Sequence, residues 1–102
     1  MRRYHGWRSG GHRLVWVTEG GELRWLNMRR DVWDHSGTFD WGPAAEIEPL
    51  NQLALALLAD AVGRDVAVRV YHDLAVEELP GLPDRWVLTS AWLKSWAADV
   101  RP

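Results

Sequence analysis

The stretch Arg13-Leu14-Val15-Trp16-Val17-Thr18-Glu19-Gly20-Gly21-Glu22-Leu23-Arg24-Trp25-Leu26 decides the class of fold. Its first six residues are β-branched or aromatic at four positions, the composition that suits a pleated, half-buried surface. Glu19-Gly20-Gly21-Glu22 is turn chemistry, because glycine reaches positive φ without a steric penalty. Leu23-Arg24-Trp25-Leu26 then reads as the returning strand. The same signs appear upstream, where Tyr4 to Arg8 forms a strand and Ser9-Gly10-Gly11 turns it into the next. The first thirty residues are therefore expected to form an antiparallel meander. Trp7, Trp16 and Trp25 recur every nine residues within it, the beat of one strand plus one turn. Strand alternation places Leu14 and Trp16 on one face and Val15 and Val17 on the other.

Residues 27–48 carry little periodicity. Asp31 to Gly37 is turn-rich, Thr38-Phe39-Asp40-Trp41 predicts a short fourth strand, and Gly42-Pro43 ends it. Long irregular segments in compact domains often carry function. Beyond them, Pro49 predicts a helix start, and Leu50, Leu53, Leu57 and Ala61 repeat at helical spacing. Ala54 and Leu58 widen this stripe, so the helix is expected to be buried on most sides, with Gly63 stopping it. Asp65 is placed as the cap of a second helix running to Pro80. Val66 to Tyr71 also alternates like a strand, and Leu74 to Glu78 decides for helix. Trp86-Val87-Leu88 reads as a brief strand. Thr89 caps a last helix with Trp92, Trp96 and Val100 on one face. The fold class is α+β: an N-terminal meander of three to four strands on two or three helices. Residues 1–102 form a single domain, with a sheet-forming half at 1–42 and a mainly helical half at 49–102.

Composition narrows the function classes. An apolar fraction of 47% and a charged fraction of 25% describe an ordinary globular chain. A domain of this size buries roughly 60 to 65% of the surface its unfolded chain exposes, enough for a core without metal or disulfide. With no cysteine, thiolate metal sites, disulfides and thiol nucleophiles are excluded. The longest apolar run, Leu53 to Ala59, is far short of a membrane span, which takes about 20 residues. Met1-Arg2-Arg3 is basic, yet Tyr4 to Arg8 lacks the apolar core of a leader, so a cytoplasmic location is expected. Residues 1–30 carry seven arginines against two glutamates, and residues 31–102 carry five basic against twelve acidic side chains. Such an asymmetry would give the folded domain a dipole.

The whole chain resembles an uncharacterised family of small proteins from bacteria, archaea, phages and plasmids. The resemblance rests on Tyr4-His5-Gly6 with Arg8, on Phe39-Asp40-Trp41-Gly42, and on Pro49 with Gln52-Leu53-Ala54-Leu55-Ala56-Leu57-Leu58-Ala59-Asp60. Tyr71-His72-Asp73-Leu74 and Trp86-Val87-Leu88-Thr89 complete it. Where that family carries a glycine-rich stretch, this chain has Pro43-Ala44-Ala45-Glu46-Ile47-Glu48, which puts any close backbone approach there in doubt. The resemblance implies a mobile-element or accessory setting and no known activity.

Chemistry-bearing constellations are few. Asp31, Asp34, His35 and Asp40 cluster in the loop without the spacing of a metal site, and turn formation accounts for them. His5 and His12 stand at positions that would face each other across the first hairpin. No serine lies in a Gly-x-Ser-x-Gly setting, and both Gly-Gly pairs lie between strands instead of before a helix. No enzymatic activity, cofactor or metal is expected. Arg8, Arg13, Trp16, Arg24 and Trp25 interleave as a sheet for nucleic acid would, against a sequence pI near 6.0. Eight tryptophans in 102 residues exceed what a small interior holds, and Trp and Arg lead at interface hot spots. Trp86, Trp92 and Trp96 are assigned to the core by their spacing. Trp7, Trp33 and Trp41 are assigned to the surface. The expectation is a protein-binding module, with self-association a further option, nucleic acid the alternative and no membrane contact. Its candidate partner-binding residues are Trp7, Arg8, Arg13, Arg24, Trp33, His35, Phe39 and Trp41.

Overall fold

A computed structural model describes residues 1–100 of the chain. Three strands open it: β1 (Arg3–Ser9), β2 (His12–Glu19) and β3 (Glu22–Trp25). The two reversals are both Gly-Gly pairs, with φ of 56° and 86° at Gly10 and Gly11 and 59° and 84° at Gly20 and Gly21. Two consecutive positive φ values define the turn whose twist matches antiparallel strands, and side-chain-bearing residues adopt it only under strain. The helices follow as α1 (Ile47–Val62) and α2 (Arg64–Glu77), then a 3-10 turn at Leu79–Gly81. The chain returns to the sheet as β4 (Arg85–Thr89) and closes with α3 (Ser90–Asp99). The sheet order is β3-β2-β1-β4, with every neighbouring pair antiparallel.

The fourth strand is thus Arg85–Thr89, as the Trp86-Val87-Leu88 pattern predicts. The strand predicted at Thr38–Trp41 does not form, because Asp40 turns back to accept from the Trp41 N–H and its carboxylate is taken by arginines. Helix α1 begins at Ile47, two residues before Pro49, which still lies in the first turn, where a missing N–H costs nothing. Every residue from Leu50 to Ala59 is buried, so α1 is the spine of the core. Gly63 both ends α1 and begins α2, and Asp65 is a first-turn acid of α2 rather than its cap. The alternation at Val66–Tyr71 is overridden by burial at Ala67, Val70, Leu74 and Ala75, a helical stripe. Thr89 does cap α3, its Oγ1 accepting from the Trp92 N–H at 3.0 Å. The buried side of α3 is Ser90, Leu93 and Ala97, one residue away from the predicted Trp face. Trp92 is consequently exposed, and Trp96 half-buried.

The layers follow from alternation along each strand. Tyr4, Val15, Val17 and Trp86 point inward to the cluster around α1, with α2 and α3 packed behind it. No helix is long and apolar enough to cross a membrane among the described residues.

Candidate functional site

The two faces of the sheet differ in how their charges are used. On the covered face, each arginine finds a carboxylate. Arg8 reaches Asp40 at 3.2 Å and Asp84 at 2.9 Å, donates to the Trp41 carbonyl, and lies over the Trp41 ring. Arg13 donates to the same Asp40 oxygen at 2.7 Å. Asp60, on the last turn of α1, receives Tyr4 Oη at 2.7 Å, Arg24 at 2.7 Å and Arg2 at 3.4 Å. Burial pulls the Asp60 carboxyl upward. The Tyr4 hydroxyl, then Arg24 and Arg2, outweigh that pull and hold it below the usual carboxylate range. Asp40 is likewise lowered, burial being outweighed by Arg13, the Trp41 N–H and Arg8. These contacts tie β1, β2 and β3 to α1 and to the irregular segment. They are structural clamps.

The opposite face carries no helix. Register sets its residues in rows across the sheet. Trp25, Trp16, His5 and Val87 form one row, and Leu14, Trp7 and Arg85 form the next. Trp25 is 63% exposed, Leu23 64% and Val87 56%, which shows that nothing packs over them. His5 stacks on Trp16, with centroids 5.3 Å apart and planes 7° from parallel, and its Nε2 lies 2.8 Å from Thr18 Oγ1. The Arg85 guanidinium lies 5.9 Å from the Trp7 ring centre. Between them is a cleft of about 480 Å³ lined by His5, Trp7, Trp16, Arg85 and Val87 side chains. No strand residue on this face is a carboxylate. Such a surface offers stacking, apolar burial and the guanidinium groups of Arg3 and Arg85, the former opposite Thr18 and Thr89.

The predicted site residues therefore do not assemble into one site. Trp7 lies on the open face. Arg8, Arg13 and Arg24 lie beneath it in ion pairs. Trp41, predicted at the surface, is fully buried, edge-on to Trp86 at 5.5 Å, with its Nε1 donating to the Pro83 carbonyl. Phe39 is partly buried against the core. Trp33 and His35 belong to a separate cluster on the helical side. There Trp33, 61% exposed, stacks on His35, whose Nε2 is 2.8 Å from Tyr71 Oη and whose Nδ1 is 3.3 Å from Glu48. Burial, then the Glu48 charge, pushes the Tyr71 phenol up. The anchor of this segment is Gln52, fully buried on α1. Its Oε1 accepts from the His35 and Ser36 N–H groups, and its Nε2 donates to the Met28 and Trp33 carbonyls.

His5 and His12 do not face each other, being opposite Trp16 and Ser9. Asp31 and Asp34 are held by Arg29 and Arg30. No group of three or more His, Asp or Glu side chains with metal-holding geometry occurs among the described residues. Sequence reasoning names Trp16 and Trp25 only as part of a nucleic-acid surface, and it passes over His5, Leu23, Arg85 and Val87 as contact residues. The signal for the first two is present: two-residue turns pair Trp16 directly with Trp25, so the nine-residue beat puts its indoles on one face.

Comparisons with known proteins add a family and no activity. Neither the curated proteins nor the solved structures contain a match to this chain. A family of unknown function, DUF6166, matches residues 4–99, which span β1 through α3 and both faces of the sheet. The chain belongs to that family.

Proposed function

We propose that the protein is a small binding module that engages a protein partner through the open face of its sheet. The observation that carries this reading is the uncovered row Trp25–Trp16–His5–Val87 above the Trp7–Arg85 pair. A contiguous apolar, aromatic patch is rare on a monomer and marks an interaction surface. Its residue types are those that dominate binding energy in protein interfaces, Trp and Arg, with few charges at the centre. The nucleic-acid alternative draws less support. Arg8, Arg13 and Arg24, which made the sheet look basic, are neutralised by Asp40, Asp84 and Asp60, so little charge remains to track phosphates. A mobile-element or accessory setting is what the family resemblance implies, a cytoplasmic location is what the N-terminal sequence suggests, and we adopt both as part of the proposal.

Affinity capture from a host lysate with wild-type protein, Trp16→Ala, Trp25→Ala and Trp33→Ala tests the reading. Trp25 and Trp33 are both exposed, so neither substitution should unfold the chain. Loss of an anchor of this kind costs about 2 kcal/mol or more, roughly 30-fold in affinity. The open-face variants should therefore lose the partner while Trp33→Ala retains it. Retention by both open-face variants would remove the face from the site. A parallel salt titration on labelled DNA and RNA discriminates the class, since phosphate contacts give a steep log-log decline.

A further inference from the structure

We infer that the open face takes an extended protein segment with two carboxylates four residues apart and one apolar side chain midway between them. This rests on the open-face reading and specifies the chemistry of the partner. The arginines of the sheet sort by face. Arg2, Arg8, Arg13 and Arg24 are all paired with carboxylates. Arg3 and Arg85 are exposed on the open face and have no carboxylate partner among the described residues. With no strand carboxylate on that face, both guanidinium groups are full positive charges without a counterion. A second copy presenting the same face would bring only more guanidinium groups to the contact. An acidic partner supplies what is missing.

Geometry sets the spacing. Arg3 lies opposite Thr89, and Arg85 lies opposite Trp7, so the two guanidinium stems are four strand residues apart, about 13 Å at 3.3 Å per residue. The His5–Val87 row and the 480 Å³ cleft lie between them. In an extended segment, residues i, i+2 and i+4 point the same way. Carboxylates at i and i+4 therefore span the two arginines, and the side chain at i+2 enters the cleft beside Trp7 and Trp16. The pattern is acid-x-apolar-x-acid, and it reads alike in either chain direction.

The test uses the full chain and short blocked peptides, with Glu-Thr-Leu-Thr-Glu as the probe. Comparators are its Gln-Thr-Leu-Thr-Gln form, a misspaced Glu-Glu-Leu-Thr-Thr form, and oligo-dT and oligo-U. Binding is followed by peptide anisotropy and by the tryptophan emission shift. The spaced acidic peptide should bind about five- to tenfold tighter than the other two peptides, the gain expected of two rim ion pairs. That advantage should vanish in Arg3→Gln and Arg85→Gln and in 0.5 M salt (roughly a 4 Å Debye length). Equal binding of the glutamine peptide overturns the charge inference. If Trp16→Ala still abolishes both, the open-face reading stands without it. Tighter binding of either oligonucleotide overturns both readings. No response to any peptide at millimolar concentration, or self-association that shields Trp25, overturns the inference, and the lysate capture then judges the open-face reading independently.

Discussion

Replacing Gln52 by leucine should release the segment that carries Trp33 and His35. The buried amide serves four main-chain groups, at 2.7 and 3.0 Å to the His35 and Ser36 nitrogens and at 2.7 and 3.1 Å to the Met28 and Trp33 carbonyls. Leucine has nearly the same volume and no polar atom, so the packing of α1 survives and all four groups lose their partner. Each orphaned buried group costs about 1–3 kcal/mol. A small outward shift of residues 28–36 would let water satisfy some of them, and leucine gains some transfer energy, leaving a net loss of about 2–3 kcal/mol. Against the 5–15 kcal/mol typical of a domain, that is a large fraction. At about 4–8 °C per kcal/mol it lowers Tm by roughly 8–24 °C. Urea unfolding followed by far-ultraviolet circular dichroism measures the global term. Amide exchange at residues 28–36 measures the local one. A stability within about 0.5 kcal/mol of wild type, with exchange at 28–36 unchanged, would refute the assignment of Gln52 as the anchor.

Two further predictions concern the covered face. Gly6 lies directly beneath the Trp86 indole, and a Cβ there would stand 2.1 Å from Cε2 and 2.3 Å from Nε1. Gly6→Ala should therefore cost about 1–3 kcal/mol by urea unfolding. Trp86 Nε1 has no hydrogen-bond partner among the described residues, so Trp86→Phe removes the clashing edge and should recover part of that loss in the double variant; strictly additive losses would contradict the clash. Acid should weaken the protein through Asp40 and Asp60, both lowered in the folded state. Their contribution is full above the unfolded-chain value of 3.8, declines below it, and is gone once pH falls through the folded value. Asp60→Asn should flatten the stability–pH curve below pH 4, and an unchanged slope would refute the role of that clamp.

The meander was legible because its turns are Gly-Gly pairs, and few other structures suit two consecutive residues at positive φ. The same turns imply the register, so the common face of Trp16 and Trp25 was readable too. Burial of α1 was legible from its near-absence of polar residues. What stayed hidden depended on contacts distant in sequence. Trp41 looks like a loop residue until Arg8, 33 positions earlier, captures Asp40 and the Trp41 carbonyl. Gln52 looks like the polar edge of a helix until the irregular segment folds over it. In α3, the pattern at Trp92 and Trp96 misleads because the helix continues directly from β4. Pairing of β4 with β1 and the Thr89 cap then orient the helix, and they turn Leu93 and Ala97 inward.

The charge asymmetry along the chain has a different consequence from the dipole it implies. The basic first thirty residues reach forward to Asp40, Asp60 and Asp84, so most of that charge is consumed in short intramolecular pairs instead of projecting a long-range field. The proposed recognition would then depend on local contacts, and the sheet offers two places for them, its edges and its open face. The edges are poor templates. β3 has four residues and β4 five, and short edge strands limit the ladder a partner strand can build. The face is wider, spanning all four strands, and it is where the unpaired Arg3 and Arg85 stand. A partner approaching this sheet gains more by lying across its indoles than by extending its ladder.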